Sequence, residues 1–309
     1  MGLGRLVIRR LAAAIPTLFL IITAAFFLMR AAPGGPFDEE RTLPAEVEAN
    51  IKAAYDLDKP LLVQYGLYLK RLIKGDFGPS FRYEEFSVSD LIAAGFPNSL
   101  KLGALAITLA LALGVSAGTV AAMRQNSTVD HVVMTAAMTG IAIPNYVMGP
   151  LLALVFGIYL KLLPVSGWVD GAFDDMVLPA LALALPYTAY IARLTRGSMI
   201  EVLHANYIRT ARAKGLPESL IIRRHALRAA LLPVISFLGP AMAGIITGSV
   251  VIEQIFQVPG LGRYFVLGAL NRDYTLVMGV VIFYAGLILL LNLVVDVLYA
   301  LLDPRVRYT

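Results

Sequence analysis

Six stretches of this 309-residue chain contain no Asp, Glu, Lys, Arg or His: Leu11–Met29, Leu102–Met123, Val132–Leu160, Met176–Ala192, Ala229–Ile252 and Tyr274–Val295. A hydrocarbon layer about 30 Å thick is crossed by roughly 20 helical residues, each rising about 1.5 Å. Lipid offers the backbone no hydrogen bonds, so such stretches must satisfy their own peptide groups as helices, and a barrel would instead show alternating ten-residue segments. Composition agrees: 58% of residues are apolar and 15% charged, against about 45–50% and 25% in soluble domains. The fold class read from this is all-α, a polytopic membrane protein with six transmembrane helices. The third stretch exceeds one crossing and carries Pro144, Gly149 and Pro150, so it is expected to be tilted, kinked or partly interfacial.

Charge fixes the orientation. Arg5, Arg9 and Arg10 precede the first stretch, whereas Ala31 to Ser99 holds seven Lys/Arg and eleven Asp/Glu. Between the fourth and fifth stretches, Arg193 to Arg228 holds eight Lys/Arg and two acids. The opposite loop, Lys161 to Asp175, carries Asp170, Asp174 and Asp175 beside Trp168. The positive-inside rule then places the N-terminus, the loop 193–228 and the C-terminal Arg305 and Arg307 in the cytoplasm. The first stretch exceeds the 7–15 apolar residues of a cleavable leader and reads as a retained span.

The expected organisation is a cytoplasmic N-terminus and first span over 1–30, an outer helical segment over 31–99, and a five-span core over 100–309 carrying the cytoplasmic loop 193–228. In the outer segment, Pro44–Leu57 and Pro60–Ile73 are expected as short helices, the second presenting Leu62, Tyr65, Leu69 and Leu72 on one side. Gly75-Asp76-Phe77-Gly78-Pro79-Ser80 is a turn. Gly114-Val-Ser-Ala-Gly118 and Gly244-Ile-Ile-Thr-Gly248 are GxxxG patterns that permit close helix approach.

Several chemistries are missing. No charge interrupts a span, which argues against a proton- or sodium-coupled carrier, with Glu253 at the outer end of the fifth span as the one allowance. The dipeptide Gly-Lys never occurs, so the phosphate cradle GxxxxGK[ST] is absent and the chain needs an external energy source. There is no cysteine and no HExxH, and His131, His204 and His225 are dispersed; no catalytic residue, cofactor or metal site is expected.

The loop 193–228 carries the most information. A helix from about Asn206 through Lys214, Gly215 at its C-terminal turn and Pro217 opening the next helix give helix, tight turn, helix, with Leu216 at the turn among Arg209, Arg212 and Lys214. Charge alone would make it a topology-fixing basic segment touching anionic head groups. Its residue order says more. Arg209-Thr210-Ala211-Arg212-Ala213-Lys214-Gly215-Leu216, closed by Leu232-Pro233, resembles the EAA loop of ABC-importer permeases. Arg209, Thr210 and Ala211 fall on the E-A-A positions and Gly215 on the glycine. Arg209 in place of an acid, and the longer spacing to Pro233, resemble the peptide and nickel branch.

The resemblance runs along the whole chain. It includes Arg9-Arg10 with Ile15-Pro16-Thr17, Ala32-Pro33-Gly34, the Gly75 to Ser80 turn, Arg196-Gly197-Ser198-Met199, Ile245 to Glu253, Leu270 to Tyr274, Asp296 to Tyr299 and Asp303-Pro304. It implies a type I ABC-importer permease of oligopeptides in a bacterial inner membrane, with dipeptide and nickel permeases sharing the architecture. Its implied partners are a second permease in a heterodimer, two cytoplasmic ATPase subunits that dock on the loop, and a periplasmic substrate-binding protein; no nucleic acid is implied. Asn271, Arg272 and Asp273, at the outer mouth of the sixth span, are read either as part of the binding-protein surface or as a capped helix entry. The rival classes are an ion-coupled transporter or channel, which needs an intramembrane site, and an anchor that binds partners without substrate flux.

Overall fold

The computed structural model describes residues 3–31, 56–83, 85–169 and 171–302. Most of the expected helix Pro44–Leu57, the motifs Ala32-Pro33-Gly34 and Asp303-Pro304, and Asp170, Arg305 and Arg307 lie outside the described residues. The helices are α1 (Leu3–Ala31), α2 (Leu61–Ile73), α3 (Val88–Met123), α4 (Thr128–Ala142), α5 (Asn145–Leu152) continued by a π-turn (Ala153–Tyr159), α6 (Phe173–Leu203), α7 (Asn206–Ala213), α8 (Glu218–Leu220) continued by a π-turn (Ile221–Ala226), α9 (Leu227–Ala230), α10 (Leu232–Phe256), α11 (Leu261–Leu270) and α12 (Tyr274–Leu302). The described residues hold no strand, only an isolated bridge between Pro79 and Ser87.

Among the described residues, α1, α3, α6, α10 and α12 are long and apolar enough to cross a membrane, and α4 with α5, bent by 109° at the break between them, makes a sixth if the two are counted as one span. The cause of the bend is local. Ile143 is extended (φ −101°, ψ 121°), as a residue before proline is pushed to be, and Pro144 has no N–H to continue the helix.

Helix ends differ from the apolar stretches because caps, not hydropathy, set them. Ser87 starts α3 fourteen residues before the apolar run: its Oγ accepts from the Asp90 N–H (3.1 Å), and the Asp90 carboxylate accepts from the Ser87 N–H (3.0 Å). The outer segment and the core are therefore joined by one continuous helix. At its C-terminal end, α6 continues through Arg193 and Arg196 to Leu203, so the first part of the expected loop is helix.

The tightest seam is between α3 and α6. A Cβ on Gly114 would lie 2.8 Å from Ile191 and 2.9 Å from the Thr188 carbonyl oxygen, and one on Gly118 would collide with the Ala192 carbonyl. The first GxxxG pattern is thus an internal contact. Lipid tails are as apolar as leucine, so helices gain by van der Waals contact when small residues let backbones approach. The same five residues also spell G-x-S-x-G, but they sit mid-helix with Ser116 exposed, not on the strand-to-helix elbow that pattern needs as a nucleophile. In the second pattern, Gly244 has the Tyr187 hydroxyl against it.

The helix α1 stands apart, most of its side chains exposed, and packs on α12. Arg10 bonds Asp296 (2.7 Å) at one end; Phe26, Tyr68, Met278 and Ile282 cluster at the other. Of the expected stripe on α2, Tyr65 and Leu72 pack together with Tyr68, and Thr23 of α1 bonds the Tyr65 hydroxyl (2.7 Å), whereas Leu62 is exposed.

Candidate functional site

The loop after α6 is built on a small apolar foundation. Met199 (α6), Ala122 (α3), Ile208 and Ala211 (α7), Ile221, Ile222 and Ala226 (the following π-turn) and Ala230 (α9) form one buried cluster. Ile208 and Ala211 lie three residues apart, so they share one face of α7, which must lie flat on the inner end of the bundle. The opposite face points away from the protein. Arg209, Thr210, Arg212, Ala213, Lys214 and Gly215 are all exposed.

The end of α7 is fixed by backbone chemistry. The Gly215 N–H donates to the Arg212 carbonyl (2.9 Å) and the Leu216 N–H to the Ala211 carbonyl (3.4 Å), with Gly215 at φ +75°. This is a Schellman closure, and the apolar contact that accompanies it is present, because Leu216 packs on the cluster that contains Ala211. Leu216 is therefore half-buried, at the exposed turn but facing inward. Across the turn, Arg212 holds Glu218 by two bonds, which keep the Glu218 carboxyl below the usual carboxylate range and raise the Arg212 guanidinium. Of the eight loop residues singled out in the sequence, six form one projecting knuckle and two, Ala211 and Leu216, seat it.

The outer trio divides differently. Asp273 is fully buried. Its carboxylate accepts from the Ser80 hydroxyl (2.5 Å), the Phe81 N–H (3.1 Å) and the Leu276 N–H (3.0 Å), so it caps the start of α12 and fastens the Gly75 to Ser80 turn. Asn271 is exposed and Arg272 partly so. Among the described residues no group of three or more His, Asp or Glu is placed to hold a metal ion.

Two polar arrangements escaped sequence reading. Glu253, fully buried at the end of α10, accepts from the Gly262 N–H (2.8 Å), while Ser99 of α3 accepts from the Leu261 N–H (2.8 Å). A Cβ on Gly260 would run into both side chains. The turn before α11 is thus held from two helices. Near the loop 193–228, Asp130 at the start of α4 receives two bonds from Arg196 of α6 (2.7 and 2.6 Å). The signal for the first was an acid at the end of an uncharged run. For the second it was an acid three residues after Ser127, the spacing of a helix start.

The chain matches the family described as binding-protein-dependent transport system inner membrane component over residues 114–308, and the N-terminal counterpart of that family over residues 3–103. It is 59% identical to the oligopeptide transport system permease protein OppB of Escherichia coli (strain K12), covering 98% of this chain and 99% of that protein. Similarity to the dipeptide transport system permease protein DppB of Bacillus subtilis (strain 168) is 47% identity over 99% and 98% of the two chains. Among solved structures, the crystal structure of an amino acid ABC transporter with histidines is similar in fold, with a TM-score of 0.52 and 19% identity, over 71% of this chain and 95% of that one.

Proposed function

We propose that this chain, which belongs to the family of binding-protein-dependent transport system inner membrane components, is a permease subunit that carries oligopeptides through the bacterial inner membrane in an ATP-driven importer. The observation that carries the substrate class is near-full-length identity of 59% to an oligopeptide permease, against 47% to a dipeptide permease. The chain is a transport subunit and not an enzyme; ATP hydrolysis belongs to separate subunits.

The knuckle of Arg209, Thr210, Arg212, Ala213, Lys214 and Gly215, seated by Ala211 and Leu216, is the contact for two cytoplasmic ATPase subunits shared with a second permease in a heterodimer. What supports this reading is an exposed basic helix held rigidly against the bundle by its own buried face. Asn271 and Arg272 belong to the surface that meets a periplasmic substrate-binding protein, with Asp273 holding them in place from beneath. Both termini and the knuckle face the cytoplasm, as the clustering of positive charge requires.

The test is to purify the tagged chain from its native membrane, identify co-purifying subunits, and measure uptake of a labelled oligopeptide by proteoliposomes of the complex. ATP-dependent uptake is expected. Uptake without ATPase subunits would instead establish a secondary carrier. A cysteine introduced beside Arg212 should react only once the membrane is opened, and labelling in intact spheroplasts would reverse the orientation.

A further inference from the structure

We infer that Asp130 and Arg196 are positioning residues for coupling: their ion pair makes α4 ride with α6 and the knuckle, so that the bend at Ile143–Pro144 is the joint at which loop movement reaches the rest of the span. The inference deepens the proposed function and rests on it.

The geometry is specific. The Asp130 side chain is 1% exposed, and its carboxylate meets Nε and Nη2 of Arg196 with one oxygen each. One of those oxygens also accepts from the Asn126 N–H (2.9 Å), which ties in the turn between α3 and α4. Such a fork-to-carboxylate pair fixes orientation as well as distance. Directly beside it the backbone N of Arg196 would lie 3.0 Å from a Cβ on Gly118, so α6 has no freedom to slide on α3 there.

A second fastening lies further along. A Cβ on Gly140 of α4 would come within 2.5 Å of the Leu185 carbonyl oxygen of α6. Residues 130 and 140 thus meet residues 196 and 185: the helices run antiparallel and are held at both ends. Met199, one turn beyond Arg196, belongs to the cluster that seats Ile208 and Ala211 of the knuckle. Beyond the bend, α5 packs on α6 and also on the end of α10, where Gly149 faces Ile252 and Phe256. The bent span therefore connects the inner body to the helix end that carries Glu253, with its one break between them.

The test has two arms. In proteoliposomes of the full complex, Arg196→Ala should leave subunit co-purification and basal ATP hydrolysis intact, while uptake and stimulation by loaded binding protein fall about tenfold, a size typical of one coupling free energy between sites. Because Arg196→Ala strands a buried carboxylate, the double variant Asp130→Asn/Arg196→Gln, which keeps a hydrogen bond without charge, is measured beside it and should keep assembly and recover part of the stimulation. The second arm uses the full chain in nanodiscs, spin-labelled at His131 and Arg193, both exposed on the two helices. A narrow distance distribution is expected, broadened by Arg196→Ala. In the complex, trapping with ATP should leave that distance unchanged but shift the distance from His131 to Tyr146, beyond the bend. A His131–Arg193 distance that changes on trapping, or stimulation that survives Arg196→Ala, overturns the inference while the transport reading stands. Loss of ATPase subunits from the unsubstituted complex would sink the transport reading instead, and the nanodisc distances would still judge the clamp.

Discussion

Arg212 reaches across the Gly215 turn and grips Glu218 with Nε at 3.2 Å from Oε2 and Nη2 at 2.6 Å from Oε1. The three cations of the knuckle are therefore not equivalent: Arg212 is engaged within the turn, whereas Arg209 and Lys214 project beside it. Backbone and side chain close the turn independently.

The pair sets a pH expectation. The Glu218 carboxyl is lowered by its bonds from Arg212, so what the pair contributes is present above the ordinary glutamate range and lost as pH falls below it. The raised Arg212 stays charged to strongly alkaline pH. Hydrogen exchange of the Gly215 and Leu216 amides, corrected for intrinsic rates, should show constant protection from about pH 5.5 to 8.5 and a decline only in stronger acid, since unperturbed glutamate titrates near about 4.3. Decline already between pH 7 and 6 would implicate a different group.

Gly215→Val should leave the chain inserted but uncoupled. No neighbouring atom lies within 4 Å of a Cβ there, so the penalty is backbone alone, φ +75° being costly for a β-branched residue by about 1–2 kcal/mol. Gly215→Asn, which tolerates this region, should retain most uptake. If both variants transport at wild-type rates, the knuckle is not the mechanical contact.

In the seam of α3 with α6, Gly118→Ala should lower the detergent melting temperature of the chain, because overpacking costs about 1–3 kcal/mol. Gly197→Ala, on the same α6 but with open space around it, is the control and should be neutral or slightly stabilising. Equal effects from the two would refute the close approach.

Asp273→Ala removes an acceptor shared by the Ser80 hydroxyl and the Phe81, Arg82 and Leu276 N–H groups at a buried site, a loss on the order of 1–3 kcal/mol. Limited proteolysis should then cut the outer segment faster. Asn271→Ala should shift stability by less than about 0.5 kcal/mol, yet weaken stimulation by the binding protein. Unchanged stimulation would remove Asn271 from that surface.

The spans were legible because uncharged length is a one-dimensional property, and so was the knuckle, because Gly215 and Pro217 mark helix ends by local chemistry. The 109° bend was legible only as Pro144; its angle depends on what α5 packs against. Asp130–Arg196 and Ser80–Asp273 were hidden, since each joins residues far apart in the chain and looks locally like a helix start or a surface charge. Leu62 was misplaced for a related reason: the α2 pattern marks an apolar stripe but not how much of it meets α1. The GxxxG pattern gave the right physics, close approach, but could not name the partner helix.

The bond between Ser80 and Asp273 spans 193 residues of sequence. At a synthesis rate of roughly 5–20 residues per second, Ser80 leaves the ribosome about 10–40 s before its acceptor exists. The Arg10–Asp296 pair joins residues still further apart, and it too waits on the last helix. Through that interval α1 and α2 hold each other through Thr23 and Tyr65 and through Phe26 and Tyr68, but lack both of these bonds to the last helix. The last helix to be made is thus the one that locks the first.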